Sequence, residues 1–583
     1  MSLKQNYLII ASLFSMVTHI CTQTLDYKYY RALDYEANYV MGWRFNDTHI
    51  DFELTVNTLG YVGFGISDVG LMNPADLLIG WISDGNMYLG DYHTKSDSRT
   101  PYMDTSQDWI IQDGEEQNGT TILRFSRKLV TCDPGDRPFT KDRLQLIWSF
   151  GGDDPELANG LVPYHGDTKR GSTNIILLEN DAIPPSFPPP NTFLLPLKNH
   201  EYVIPATGSS LQCIVFDLSS LVPESHIIKY EAEITPGNEA FVYRMILYRC
   251  DLKDPDLNGA RFDCEADAPS TVKSCKNTVA SWSMGAESFH FPDNVGIHMG
   301  GANEPSTYVL EIHYSKYQEP MAPDGTPIVI PDSSGLQITY TTSPIVNKAG
   351  MLEIGKVISP GWQQIIPEKE EAFTSTSVCS PRCMNWGFST DKTPVNAIAV
   401  MLKGNDVASE IKLRHFRGND ELPWITVDQK FSNFYQAARL LTTPVTIESS
   451  DTLMVECTFN TSSRSAKTKG GWSRIEEVCR ATIVYYPAKP FDMCLSWSSY
   501  DNLFAKNGTK IPEEAAADFL GNVTQWDAPM KNMLKQALKK SSERSICSSI
   551  SRQPAYAIDR YSLPPNTRRY AEAPSPCEKN VRQ

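Results

Sequence analysis

The chain lacks the marks of membrane, nucleic-acid and common hydrolytic proteins. After the first two dozen residues no stretch approaches about 18 uninterrupted apolar residues, so no membrane-spanning helix is expected there. A cationic surplus is missing: 53 Lys and Arg stand against 69 Asp and Glu, a net charge of −16 over 583 residues. A protein that grips a nucleic-acid backbone needs the opposite sign, so no nucleic-acid partner is expected. Gly (35) and Pro (39) are of ordinary abundance, which excludes a collagen-like or low-complexity chain. There is no G-x-S-x-G, no H-E-x-x-H and no phosphate-binding loop. Histidine is scarce at ten residues, and those after His19 show no H-H, H-x-H or H-x-x-x-H spacing, so no local pattern of imidazoles offers itself to a metal.

What is present points to an exported, folded protein. Hydrophobic content of 41% and charged content of 21% fit a globular chain, and the length allows about three to five domains. Lys4 precedes an apolar run from Tyr7 to Val17, which reads as a secretory signal over residues 1–22, cleaved near Cys21 to Thr24. The polar end Glu578–Gln583 carries no lipid-anchor pattern, so a secreted, extracellular protein without a membrane anchor is expected. Glycosylation sequons stand at Asn46, Asn118, Asn460, Asn507 and Asn522. Setting Cys21 aside leaves twelve of thirteen Cys, an even number that fits six disulfides in an oxidising compartment. Thiolate chelation is the alternative, but Cys379 and Cys383 have no second close pair at zinc-finger spacing.

Strand signals dominate. From Thr48 to Val56, Ile50, Phe52, Leu54 and Val56 alternate with polar residues, the period of a half-buried strand. Gly60–Ser67 and Arg143–Phe150 add two more. Prolines 184, 185, 188, 189 and 190 mark a stiff spacer, placed at 181–195. Strand patterns then resume at 226–235, 241–250, 306–316, 335–342, 396–403, 452–460 and 480–486. Helices are expected only near the end: Pro512–Leu520, stopping at Gly521, and one capped by Asp527 with an apolar face of Met530, Met533, Leu534, Ala537 and Leu538. Residues 531–583 hold eleven Lys and Arg and four Asp and Glu, a basic, helical tail. The expected class is all-β.

Several phrases carry a resemblance. His226–Glu231, Ile234–Ala240, Phe289–Gly301, Val309–Tyr314, Glu456–Thr461 and Val484–Pro487 resemble the copper type II, ascorbate-dependent monooxygenases, the family of dopamine beta-hydroxylase. Gly63–Asp68, Asn73–Leu77, Asp84-Gly85 and Thr131–Pro134 resemble the DOMON domain that precedes the catalytic core there. The resemblance implies a DOMON β-sandwich at 28–180. Two tandem antiparallel, jelly-roll-like copper-monooxygenase subdomains follow at 196–345 and 346–500, then the tail from 501. It implies the bridges Cys132–Cys577, Cys213–Cys264, Cys250–Cys275, Cys379–Cys494, Cys383–Cys547 and Cys457–Cys479. No extra Cys is left for a bridge between subunits, which leaves a non-covalent oligomer open.

The same resemblance implies two copper sites, and the residues depart from both. The electron-holding site takes an adjacent His pair and a third His; here the positions are Tyr243, Arg244 and His313. The oxygen-binding site takes His-x-His and a Met; here they are Ala399, Met401 and Val478. A tyrosine given a catalytic role in the family falls at Leu211. Five of six ligands are replaced, and a guanidinium offers copper no lone pair. The expectation is a catalytically inactive family member, with no cofactor, acting as an extracellular binding or matrix protein with an unknown partner. The alternative is an active copper- and ascorbate-dependent hydroxylase of small amine-like substrates. His313 is the one residual ligand; His290 and His298 would have to join it in a relocated site. Met72 offers a haem ligand in some related domains but is expected in a core, and Asp68, Asp76 and Asp84 are candidates for a hard cation.

Overall fold

The computed structural model describes residues 27–34, 36–68, 70–156, 162–178, 188–205, 208–239, 241–250, 254–275, 277–286, 288–300, 306–316, 329–358, 364–388, 391–473, 475–500, 513–549, 556–572 and 577. The signal segment 1–22 and the sequon at Asn507 lie outside them. No helix among the described residues is long and apolar enough to cross a membrane. The chain divides into two compact units, with the described residues up to Thr140, Leu144–Thr173 and Cys577 in the first, and Lys141–Arg143 and the described residues from Asn174 to 572 in the second.

The first unit holds two sheets. One runs Tyr29–Ala32, Tyr39–Phe45, His49–Val56, Thr120–Lys128, Ile110–Gln117; the other runs Arg170–Ile175, Leu144–Phe150, Val62–Ser67, Ala75–Ser83, Asn86–Thr94, Tyr102–Met103. Ile50, Phe52, Leu54 and Val56 are fully buried, as their period requires. Glu53, between them, is buried as well, because Arg124 Nε donates to its carboxylate at 2.6 Å. Asp84-Gly85 and Asn118-Gly119, all at positive φ, close two hairpins with two-residue loops whose twist matches the strands. A bond between Cys132 and Cys577 ties the last described residue to this unit. Met72 packs beside Tyr61, Leu77 and Tyr92 in an apolar cluster.

The three candidate cation ligands do not converge. Asp68 pairs with Arg137 (2.9 Å), and Asp84 sits in its hairpin turn. Asp76 instead meets Asp91 and Asp136, all three buried, with carboxylate oxygens within 4.8 Å of one another. Arg127, itself fully buried, donates to Asp76 at 2.9 Å and stacks over Trp109 and Phe139. One guanidinium cannot balance three carboxylates. Burial, then Asp136 and Asp76, push Asp91 up to about 8, and burial lifts Asp136 to about 6.

The second unit is built on a twelve-stranded sheet. Its main path runs Thr192–Lys198, Gly335–Thr341, His226–Glu233, Val295–His298, Asn347–Lys356, Arg480–Tyr486, Val395–Lys403, Arg439–Ile447. Thr192–Lys198 starts inside the stretch read as spacer. A five-stranded sheet (Arg261–Asp263, Gly208–Asp217, Thr307–Lys316, Val242–Cys250, Asn277–Ser283) belongs to the N-terminal half, and a four-stranded sheet (Phe373–Cys379, Thr452–Phe459, Ala408–Arg417, Asp420–Asp428) to the C-terminal half. Among the described strand pairs, pairing is antiparallel save in two: Val295–Ile297 beside Asn347–Ala349, and Glu353–Lys356 beside Met493–Ser496. The strand Val395–Lys403 is covered on both faces. Val400 and Leu402 enter a core with Ile411, Leu413 and Val455; Ile398, Ala399 and Met401 enter the other with Ile227, Met245 and Ile297. The remaining disulfides, Cys213–Cys264, Cys250–Cys275, Cys379–Cys494, Cys383–Cys547 and Cys457–Cys479, all lie in this unit.

The tail is less helical than expected. The helices Glu513–Asn522 and Ala528–Lys540 form, the second capped by Asp527, whose side chain accepts from Met530 N at 2.9 Å. Two strands follow, Glu543–Ser548 and Tyr556–Tyr561, which extend the large sheet beyond Met493–Ser498. The first alternates buried with half-buried residues, but its inward side chains Glu543 and Ser545 are polar, so hydrophobicity does not reveal it. Ser545 Oγ donates to the Val378 carbonyl, and Glu543 accepts from Ser496, Ser498 and the buried ammonium of Lys356.

Two measurements test this account. Lys356 is 1% exposed and also donates to Thr376 O and Ser498 Oγ. Lys356→Ala leaves Glu543 buried without its cation and should cost about 3–5 kcal/mol in denaturant unfolding of the second unit; a loss below about 1 kcal/mol would show that the pair is not needed. In the first unit, folded Asp91 holds a proton that the unfolded chain releases above the ordinary carboxylate range. Its melting temperature should therefore fall as pH rises from about 5 to about 8. Asp91→Asn should flatten that slope, and an unchanged slope would refute the assignment.

Candidate functional site

The residues that the resemblance assigns to the electron-holding site lie together. Tyr243 and Arg244 lie on Val242–Cys250, and His313 on the neighbouring Thr307–Lys316. Adjacent strand residues ordinarily point to opposite faces. Here the register breaks between Val242 and Arg244, a β-bulge that lets both side chains reach His313. All three are at least nine-tenths buried. Tyr243 Oη is 3.4 Å from His313 Nδ1, with the rings edge to face. Arg244 Nη2 is 3.3 Å from Nδ1 and 3.1 Å from Nε2, and Glu311 Oε1 is 2.6 Å from Nε2.

Donor and acceptor chemistry settles how the imidazole is used. Glu311 accepts only, so Nε2 carries the hydrogen and Nδ1 is left as the acceptor facing Arg244 and Tyr243. Burial, then the positive Arg244, hold His313 down to about 4, so it is neutral at physiological pH. Both ring nitrogens are engaged by protein. The segment 433–436 covers the group: Asn433 O lies 3.5 Å from Arg244 Nη1, Phe434 meets Tyr243 edge on, and Gln436 is held to Ser281 and Ser283. Neither Glu311 nor this covering segment was singled out in the sequence. Glu311 had a usable signal, since two residues along a strand places it on the same face as His313.

The residues that the resemblance assigns to the oxygen site are apolar and packed. Ala399 is 0%, Met401 4% and Val478 1% exposed. Ala399 stands between Val484 and Leu440, and Met401 beside Thr482. Next to Val478, Glu477 is fully buried, and its carboxylate accepts from the backbone of Val407 and Val478, which pins the loop after Lys403. Two positions beyond Met401, Lys403 donates to Tyr248 Oη at 3.0 Å; Lys403 and Arg480 flank the Trp472 ring, and Arg480 binds Glu353 at 2.8 Å. Leu211, at the family tyrosine position, is the direct cross-strand partner of His313.

His290 and His298 do not join His313. Both lie on the twelve-stranded sheet, opposite Lys229 and His226 respectively, while His313 is on the five-stranded sheet. Among the described residues, no group of three metal-ligating side chains within mutual reach contains any of them. Of the sequons, Asn46, Asn118, Asn460 and Asn522 are all exposed.

Comparison with known proteins follows the same division of the chain. Residues 35–151 match the DOMON domain, 195–320 the N-terminal domain of copper type II ascorbate-dependent monooxygenases, and 347–507 their C-terminal domain. The chain is 31% identical over 478 residues to DBH-like monooxygenase protein 1 of Homo sapiens, covering 81% of this chain and 75% of the relative. It is 28% identical over 477 residues to dopamine beta-hydroxylase of Rattus norvegicus, covering 81% and 74%. A solved cytochrome b domain of pyranose dehydrogenase from Coprinopsis cinerea covers 24% of this chain and 75% of its own at 14% identity and a TM-score of 0.20, too slight to bear on the argument. With two consecutive family domains matched and a relative above 30% identity over most of both chains, this protein belongs to the copper type II ascorbate-dependent monooxygenase family, with a DOMON domain preceding its two copper-monooxygenase domains.

Proposed function

We propose that this chain is a catalytically inactive member of its family, exported and working through binding in the extracellular space or matrix. The observation that carries the reading is the Arg244–His313–Glu311 group. A copper ion at the electron-holding site needs imidazole lone pairs; these positions supply one neutral imidazole, with both nitrogens engaged, a phenol and a guanidinium. A guanidinium has no lone pair to give and repels a cation. The residues therefore do not fit that copper. At the oxygen site Ala399 and Val478 offer no donor at all, and the thioether of Met401 sits in an apolar core. A lone thioether favours only the reduced ion, and without imidazole partners it makes no site.

Export is supported by six disulfides, which persist in oxidising compartments, and by four exposed sequons. Glycosidase treatment of the secreted protein should shift its mass. The scaffold that positions a substrate is kept while the redox chemistry is not, which favours a partner held by shape and surface.

The test is a coupled assay. After copper loading and dialysis, the protein should oxidise ascorbate and hydroxylate phenethylamine-type amines no faster than its His313→Ala variant. Stoichiometric hydroxylation by the unaltered chain that disappears in His313→Ala would overturn the proposal.

A further inference from the structure

One pair of histidines lies apart from the family's copper positions. His226 and His298 face each other directly across the antiparallel pairing of His226–Glu233 with Val295–His298. Directly opposed residues hold their Cβ atoms about 4.5–5.5 Å apart, a span that two imidazoles can close on one ion at Zn–N distances of about 2.0–2.1 Å. The rings are 5.4 Å apart between centroids and inclined at 71°.

The state of His226 is fixed by its surroundings. It is 0% exposed, and Nδ1 lies 2.6 Å from the Glu224 carbonyl oxygen. A carbonyl only accepts, so Nδ1 carries the hydrogen and Nε2 presents a lone pair. That Nε2 is buried and has no hydrogen-bond partner. An unmatched buried acceptor is costly in a fold that satisfies most of its polar groups. The arrangement is the one that ligating histidines adopt, the far ring nitrogen donating to a carbonyl so that the near one is aimed and ready.

His298 supplies the second imidazole and, unlike His226, is only half-buried. A pair of imidazoles suits zinc and copper rather than magnesium or calcium.

We propose that His226 and His298 form a cross-strand site for a first-row divalent metal, zinc or copper, distinct from the two copper sites of the family. The ion staples Val295–His298 to His226–Glu233. Because Val295–Ile297 also pairs with Asn347–Ala349, the staple lies at the join between the two halves of the large sheet.

The experiment uses the full-length chain, stripped with chelator and titrated with Zn2+ by calorimetry. One equivalent should bind, and zinc should raise the melting temperature of the second unit by mass action. His298→Phe, which keeps an aromatic ring at a half-buried position, should weaken binding at least about tenfold and abolish the thermal shift. His298→Asn serves if the Phe variant does not fold. His313→Ala should bind as tightly as the unaltered chain, which separates this site from the family's positions. With Cu2+, the electron paramagnetic resonance spectrum should show nitrogen coupling that is lost in His298→Phe. No zinc binding by the unaltered chain, or binding of equal strength in the His298 variants, would overturn the proposal.

Discussion

Three residue pairs make the large sheet of the second unit continuous: Val295, Gly296 and Ile297 beside Asn347, Lys348 and Ala349. This parallel contact carries the sheet from the N-terminal half into the C-terminal half, and strands from both halves extend outward from it. On its other edge the same strand lies close to His226–Glu233, where a Cβ at Gly296 would stand 3.0 Å from the Ile227 carbonyl oxygen and 3.1 Å from the His226 Cβ. Ile297 and Ala349, paired across the join, both belong to the core that also takes in Ala399, Met401 and Val484 from the far half. The positions that the resemblance assigns to the oxygen site are thus enclosed by packing that runs through the join. Placing polar ligands there would require that core to repack, which is a larger change than replacing side chains on an open wall.

The electron-holding positions are a different case. There the backbone still presents two consecutive side chains to His313, through the bulge at Tyr243. On the reading proposed above, Arg244 brings a cation of its own to this position, and Glu311 lies on the far side of the imidazole between them. Arg244 Nε is left buried without a hydrogen-bond partner, and Asn433 and Phe434 lie over the group.

Much of the fold was legible in the sequence because apolar periodicity and burial coincide. The expected strand at 48–56 is His49–Val56, and those at 241–250 and 306–316 are Val242–Cys250 and Thr307–Lys316. The all-β class followed from that pattern. Legibility failed where burial is polar. Glu53 alternates with the core residues of its strand, yet it is buried where Arg124 binds it; Glu543–Ser548 was missed because a buried ion pair does the work of an apolar face. At the site, no spacing rule brings Tyr243, Arg244 and His313 together, since the contact needs a bulge and a cross-strand register that only family resemblance could supply. The six cysteine pairs came from the same source, and the structure forms those six bonds. The His226–His298 pair went unremarked because the two are 72 positions apart and meet only through register.

The strands beyond residue 540 have a practical bearing on how the protein can be divided. The match to the C-terminal family domain ends at residue 507, yet the sheet does not, since Met493–Ser498 is covered by Glu543–Ser548 and that in turn by Tyr556–Tyr561. A recombinant piece trimmed to the family boundary would bare a strand edge, strip Lys356 of its carboxylate and leave the Cys383 thiol without Cys547. An uncovered edge invites pairing with a second molecule, and an orphan thiol invites a wrong bridge. Secretory yield and monodispersity are therefore governed by a segment that a homology-based trim would discard.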